Sequence, residues 1–111
     1  MNVWLPPAQL AQMEQLVSMN TGLPLATTSS ADPRGFGLGL AQQFNPELGR
    51  FWFYEWETLG YRVAHLWWPD EDLLLVLAAN SEPAPEQDKL GALAVAIHAI
   101  LNSTGRIPCC P

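Results

Sequence analysis

Gly60-Tyr61-Arg62-Val63-Ala64-His65-Leu66-Trp67-Trp68, then Pro69-Asp70-Glu71-Asp72, then Leu73-Leu74-Leu75-Val76-Leu77-Ala78-Ala79 is the stretch that decides the fold class. Its first part alternates. Tyr61, Val63, His65 and Trp67 fall on one face of an extended chain, and Arg62, Ala64, Leu66 and Trp68 on the other. The middle part is a turn, made of a proline and three acidic residues. The last part is a continuous apolar run of strand length, which predicts a central strand buried on both faces. So short a turn between two strands predicts an antiparallel hairpin.

Upstream, Phe51-Trp52-Phe53-Tyr54 is aromatic and strand-forming. Glu55 to Leu59 is polar and is expected to bend or loop. Asn45-Pro46-Glu47-Leu48-Gly49 reads as a turn. Gly35-Phe36-Gly37-Leu38-Gly39-Leu40-Ala41 alternates glycine with apolar residues and predicts a strand ending near Gln42 to Phe44, with one face bare enough for another backbone to approach. Leu23 to Arg34, rich in Pro, Thr and Ser, reads as a connector. Ahead of it, Pro6-Pro7 and Ala8 to Met19 predict a helix with Leu10, Met13, Leu16 and Val17 on one face, ended by Gly22 in the left-handed conformation.

Downstream, Asn80 to Pro85 is a loop and Glu86 to Leu101 predicts a long helix. Leu90, Leu93, Ala94, Ile97, Ile100 and Leu101 would form its buried stripe, with Glu86 and Asp88 in the first turn, where the helix dipole favours negative charge. The expected class is α+β: an antiparallel sheet of about four strands packed against an N-terminal helix and a long C-terminal helix. The 111 residues suffice for a single domain, 1–111.

Composition narrows the function. Hydrophobic residues make up 49% and charged residues 14%, which excludes a disordered tail. The five Trp are unusually large apolar side chains for a domain this small to bury; any that cannot be covered would form an exposed apolar patch and invite a partner. Five Lys+Arg against eleven Asp+Glu give a formal net charge of −6, which argues against nucleic acid and anionic membrane partners. No stretch is long enough to span a bilayer, and Met1-Asn2-Val3-Trp4 does not open a signal peptide. The chain is therefore expected inside the cell unless an export signal lies upstream.

Motifs that carry chemistry on their own are missing. There is no GxSxG, HExxH, P-loop or CxxC, and the glycines at 35, 37 and 39 do not fit GxGxxG. The adjacent Cys109 and Cys110 are poorly placed to pair with each other and form no disulfide framework. No cofactor is implied, and no metal site: His65 and His98 show no ligand spacing. His98 is expected to be a satisfied helix histidine. His65 sits on an alternating strand with no nucleophile to serve. Glu55 and Glu57 would share a strand face, and a paired-carboxylate hydrolase is one reading of them; two solvated glutamates is the other. Trp52 and Trp67 suit the core, whereas Trp56, between two glutamates, is expected to be exposed.

Gly35-Phe36-Gly37-Leu38-Gly39 resembles the Gly-Tyr-Gly-Leu-Gly strand of class C serine β-lactamases and the related DD-peptidase-like, penicillin-binding hydrolases. That family carries a His-Thr-Gly or Lys-Thr-Gly triplet farther on, followed by a Gly-Thr-Pro-Gly-Phe/Tyr run. Tyr54-Glu55-Trp56 stands at the triplet, and Thr58, Gly60 and Tyr61 match the run. Pro69-Asp70, the Leu73 to Ala79 strand, Asn80, the last helix and the opening helix with its Gly22-Leu23-Pro24 exit follow the family's order. The resemblance covers nearly all of this chain but only the last part of the family's.

What the resemblance implies is a C-terminal portion of an acyl-transfer hydrolase acting on a β-lactam, peptide or ester. The substrate-facing residues would be Tyr54, Glu55, Trp56 and Thr58, and there would be no catalytic residue in this chain. The family's nucleophilic Ser with Lys three residues on, and its Tyr-x-Asn/Ser motif, lie upstream, and no Ser-x-x-Lys occurs here. The triplet also departs: Glu55 brings no cation, and Trp56 replaces the glycine along which substrate would lie. The chain is therefore expected to be inactive alone. The alternative is a stand-alone binding or assembly module. With the family's upstream helix and strands absent, apolar surface and a sheet edge would be open, which predicts a homodimer.

Overall fold

The computed structural model describes residues 4–81 and 84–105. Among the described residues the fold is α+β, with seven strands in an antiparallel sheet and two α-helices. The expected count of about four is too low because the predicted first helix, the connector and the glycine run each contain short strands. The chain falls into two compact units, Met1–Trp52 and Phe53–Pro111.

In the first unit, α1 spans Pro7–Met13, with proline in its first turn. It stops well before Met19. Leu16–Ser18 is instead strand β1, with Leu16 and Ser18 buried and Val17 exposed between them. A two-residue period has replaced the helical one. The cause is tertiary: β1 pairs with β2 (Pro24–Leu25) on one side and β3 (Arg34–Phe36) on the other. Another turn of so short a helix would be marginal. Gly22 does take a positive φ, +73°, but in the β1–β2 turn. There the Ser18 hydroxyl accepts the N–H groups of Asn20 and Thr21, and the Gly22 N–H donates to the Ser18 carbonyl.

The glycine run is a hairpin, not one strand. β3 turns at Leu38-Gly39 and returns as β4, Ala41–Asn45, so that Phe36 faces Ala41 and Arg34 faces Gln43. Gly39 supplies the left-handed φ of +78°. Gly37 permits the close backbone approach that its lack of a side chain predicts. An added Cβ would overlap the Met13 carbonyl oxygen, which accepts the Leu38 N–H at 3.0 Å and so ties the hairpin tip to the end of α1. The turn at 45–49 forms as expected, with the Asn45 Oδ1 accepting the N–H groups of Glu47 and Leu48.

Strand β5, Gly49–Thr58, begins in the first unit and lies mostly in the second. Its polar end does not bend: the strand runs on through Glu55, Trp56 and Glu57. Strand β6, Tyr61–Trp68, shows the expected alternation, with Arg62, Ala64, Leu66 and Trp68 buried. Strand β7, Leu73–Ala79, pairs with it in register from Trp68↔Leu73 to Arg62↔Ala79. The expectation that β7 is central and buried on both faces fails. It ends the run β5-β6-β7, with Leu74, Val76 and Ala78 exposed. A continuous apolar run records only that either face tolerates apolar contact, and here the helix covers one.

That helix, α2, spans Leu90–Ser103. It starts four residues later than Glu86, because Pro85–Gln87 forms a short 3-10 turn and Asp88 is engaged elsewhere. Its buried positions are Ala94 and His98, whereas Leu93 and Ile100 of the predicted stripe are exposed. No helix among the described residues is long and apolar enough to cross a membrane.

Candidate functional site

The residues singled out in the sequence gather on the β5–β6 hairpin. Alternation along β5 sends Glu55 and Glu57 to one side and Tyr54, Trp56 and Thr58 to the other. The side is fixed by Arg62. Its guanidinium is buried, with the Glu57 carboxylate at 2.9 Å from Nε and that of Glu55 at 3.7 Å from Nη2. Asp88 pairs with Nη1. One cation thus holds three carboxylates, two from β5 and one from the segment entering α2.

The electrostatics follow this geometry. The hydrogen bond to Asp88 is the main cause raising the Arg62 pKa above its ordinary value; desolvation opposes it, and the charges of Asp88, Glu57 and Glu55 add to it. Asp88 is lowered in turn, first by the Arg62 hydrogen bond and then by the Leu90 N–H, which donates to its Oδ1 at 3.0 Å. Glu55 and Glu57 do share a side, as predicted, but both are spent on the same guanidinium. They form a charge clamp rather than a free acid–base pair.

The opposite side of the hairpin is the open one. Trp56 is 54% exposed, as expected for it, and Tyr54 is nearly as open. Tyr61 and His65, on β6, are exposed too. This face presents two tyrosines, a tryptophan and an imidazole to solvent. Trp52 is buried, as its core assignment predicts, and Trp67 is half-buried.

His98 lies on the covered side. Its Nε2 is 2.8 Å from a Glu71 carboxylate oxygen, and its ring packs against buried Trp68 with centroids 4.8 Å apart. It is a satisfied histidine joining α2 to the β6–β7 turn. Sequence spacing missed this pair because Glu71 and His98 are distant in the chain and meet only when the helix folds back. Among the described residues no three His, Cys, Asp or Glu are gathered as metal ligands. Cys109 and Cys110 lie outside the described residues.

The first unit has a second polar centre that the sequence did not reveal. Thr28 is fully buried in the connector. Its N–H and hydroxyl donate to the Gln42 Oε1 at 3.0 and 2.9 Å, and the Thr27 hydroxyl adds a third bond at 3.2 Å. The Thr28 carbonyl accepts from Nε and Nη2 of Arg50. The same unit has an open cleft of about 630 Å³ lined by Glu14, Leu16, Val17, Pro24, Leu25 and Leu38. None of the predicted site residues borders it. Comparison with protein-family models, with curated proteins and with solved structures finds no match to this chain.

Proposed function

We propose that this chain is the C-terminal portion of a serine β-lactamase/DD-peptidase-like hydrolase, an acyl transferase on a β-lactam, peptide or ester, and that it supplies a substrate wall rather than the nucleophile. The observation that carries this reading is β5. It is an extended strand that presents Tyr54 and Trp56 on an open face, with Glu55 on the clamp side and Thr58 at the turn. β6, the Pro69 turn, β7 and α2 come after it in the order the resemblance implies, whereas the glycine run ahead of it is a hairpin and not the single strand that the resemblance implies. Departures at Glu55 and Trp56 alter what the wall accepts. Covalent acyl transfer needs an activated hydroxyl, and with no Ser-x-x-Lys the chain has no route to one.

The test is twofold. The isolated chain should leave a chromogenic β-lactam and simple esters at the buffer rate, and turnover abolished by Tyr54→Phe or Trp56→Ala would refute the inactive reading. The genomic frame upstream of the Met1 codon should encode a Ser-x-x-Lys segment; its absence removes the hydrolase reading. A second reading, a self-associating binding module, is favoured by the exposed Leu74 and Val76 on β7.

A further inference from the structure

We infer that the outer edge of β7 is a self-pairing edge, to which a second copy of this chain adds its own β7 antiparallel. The inference rests on the self-associating reading and commits it to one surface. β7 ends the run β5-β6-β7, and its ladder to β6 occupies one side over its full length. Beyond that ladder, residues 73–79 make no backbone hydrogen bond among the described residues. A strand carries N–H and C=O groups along both sides, so one row is left to water or to a partner.

Folded proteins blunt such edges with shortness, proline, charge or a bulge. β2, which ends the run β2-β1-β3-β4 in the first unit, shows two of these: it is two residues long and one of them is Pro24. β7 has none. Its seven residues, LLLVLAA, contain no proline, glycine or charge, and its register with β6 is unbroken. Leu74 is 63% and Val76 52% exposed.

Self-complementarity identifies the occupant. An antiparallel two-fold centred on Val76 places Val76 beside its own copy, Leu75 beside Leu77 and Leu74 beside Ala78, so every pair is apolar. The charge of −6 on each copy does not act within the strand. Asp72 and Glu71 of the acidic turn fall at the far ends, alongside Asn80 and Ser81 of the other copy. A seven-residue edge is about 24 Å long and buries less than the ~1,200 Å² of a stable interface, so the dimer belongs to the weak, transient class.

Sedimentation equilibrium from about 5 to 500 µM, with hydrogen exchange read on the unmodified chain, tests this. The expected result is a dimer that tightens as salt screens the two acidic bodies, and amides of 73–79 whose protection rises with protein concentration. Val76→Lys and Leu74→Lys, both at exposed positions, should each weaken it about tenfold or more, whereas Ile100→Lys on α2 should not. A monomer at 500 µM overturns both this edge and the self-associating reading. A dimer lost in Ile100→Lys, with β7 amides unprotected at every concentration, overturns the edge alone. A monomer that protects β7 only on adding a foreign extended peptide overturns the second copy as occupant.

Discussion

Gln42 in the first unit and Arg62 in the second hold their surroundings by the same count of contacts and by opposite chemistry. Gln42 is a neutral acceptor that gathers three donors from Thr27 and Thr28. Arg62 is a cation that gathers three carboxylates, from Glu55, Glu57 and Asp88. The neutral centre is buried at Gln42 and Thr28 and gives the Thr28 N–H in an irregular segment its acceptor. The ionic centre is buried only at the guanidinium, while its glutamates reach into water. The difference teaches where each unit is vulnerable. The Gln42 centre depends on the geometry of neutral hydrogen bonds, whereas the Arg62 centre depends on charge.

Arg62→Met separates the two most sharply. It keeps the aliphatic stem but leaves three carboxylates facing one another. Removing one partner of a buried ion pair costs about 3–5 kcal/mol, and the solvated glutamates bring this case to about 2–3 kcal/mol, a fall of about 10 °C in the melting temperature of the second unit. Gln42→Leu should cost less, about 2 kcal/mol, because the Thr28 N–H and hydroxyl lose their acceptor in a dry site. Thermal melts in low and high salt distinguish them. The Arg62→Met deficit should shrink with salt as the carboxylates are screened from each other, and the Gln42→Leu deficit should not.

The pH dependence is assigned to Asp88. Its pKa is lowered in the folded chain, so it stabilises the fold above the unfolded carboxylate value and that stabilisation is lost as pH falls below it toward the folded value, a window below about pH 4. Arg62 is raised, so its contribution is present at every ordinary pH and is lost only in strong alkali. Asp88→Asn should cost about 1 kcal/mol at pH 7 and flatten the acid limb, measured by urea unfolding at pH 7 and pH 3. An acid limb as steep in Asp88→Asn as in the parent would place the sensitivity elsewhere.

Local chemistry was legible where it acts on neighbours in sequence. The alternation of Tyr61 to Trp68, the Asn45–Gly49 turn and the left-handed Gly22 all follow from adjacent residues. What depended on distant partners was not. Leu16 fits a helical face as well as a strand, and only the β2 and β3 ladders decide between them. The two-residue period of the glycine run predicts one strand, but a hairpin bending at Gly39 has the same composition. Arg62 looked like any polar strand residue, since the partners that bury it lie on β5 and ahead of α2. The candidate face of Tyr54 and Trp56 was legible through Trp56, whose acidic neighbours marked it as exposed.

The smallest predicted effect asks whether the ionic centre has redundant members. Glu57 lies 2.9 Å from Nε of Arg62, a hydrogen-bonded pair, whereas Glu55 lies 3.7 Å from Nη2, beyond good hydrogen-bond length, and both are more than half exposed. An exposed pair at that longer distance contributes little, so Glu55→Gln should lower stability by about 0.3 kcal/mol or less, with Glu57→Gln costing about twice as much. The pair of mutants bears on function as well. Under the proposed reading Glu55 belongs to the substrate wall, and the near-neutral cost makes Glu55→Lys a usable probe of that proposal. If the clamp needs only Glu57 and Asp88, a chain with lysine at 55 still folds, and the proposed wall can be assayed with a cation in it. If Glu55→Gln instead costs as much as Glu57→Gln, Arg62 requires all three acids, and the clamp side of β5 is not free to vary.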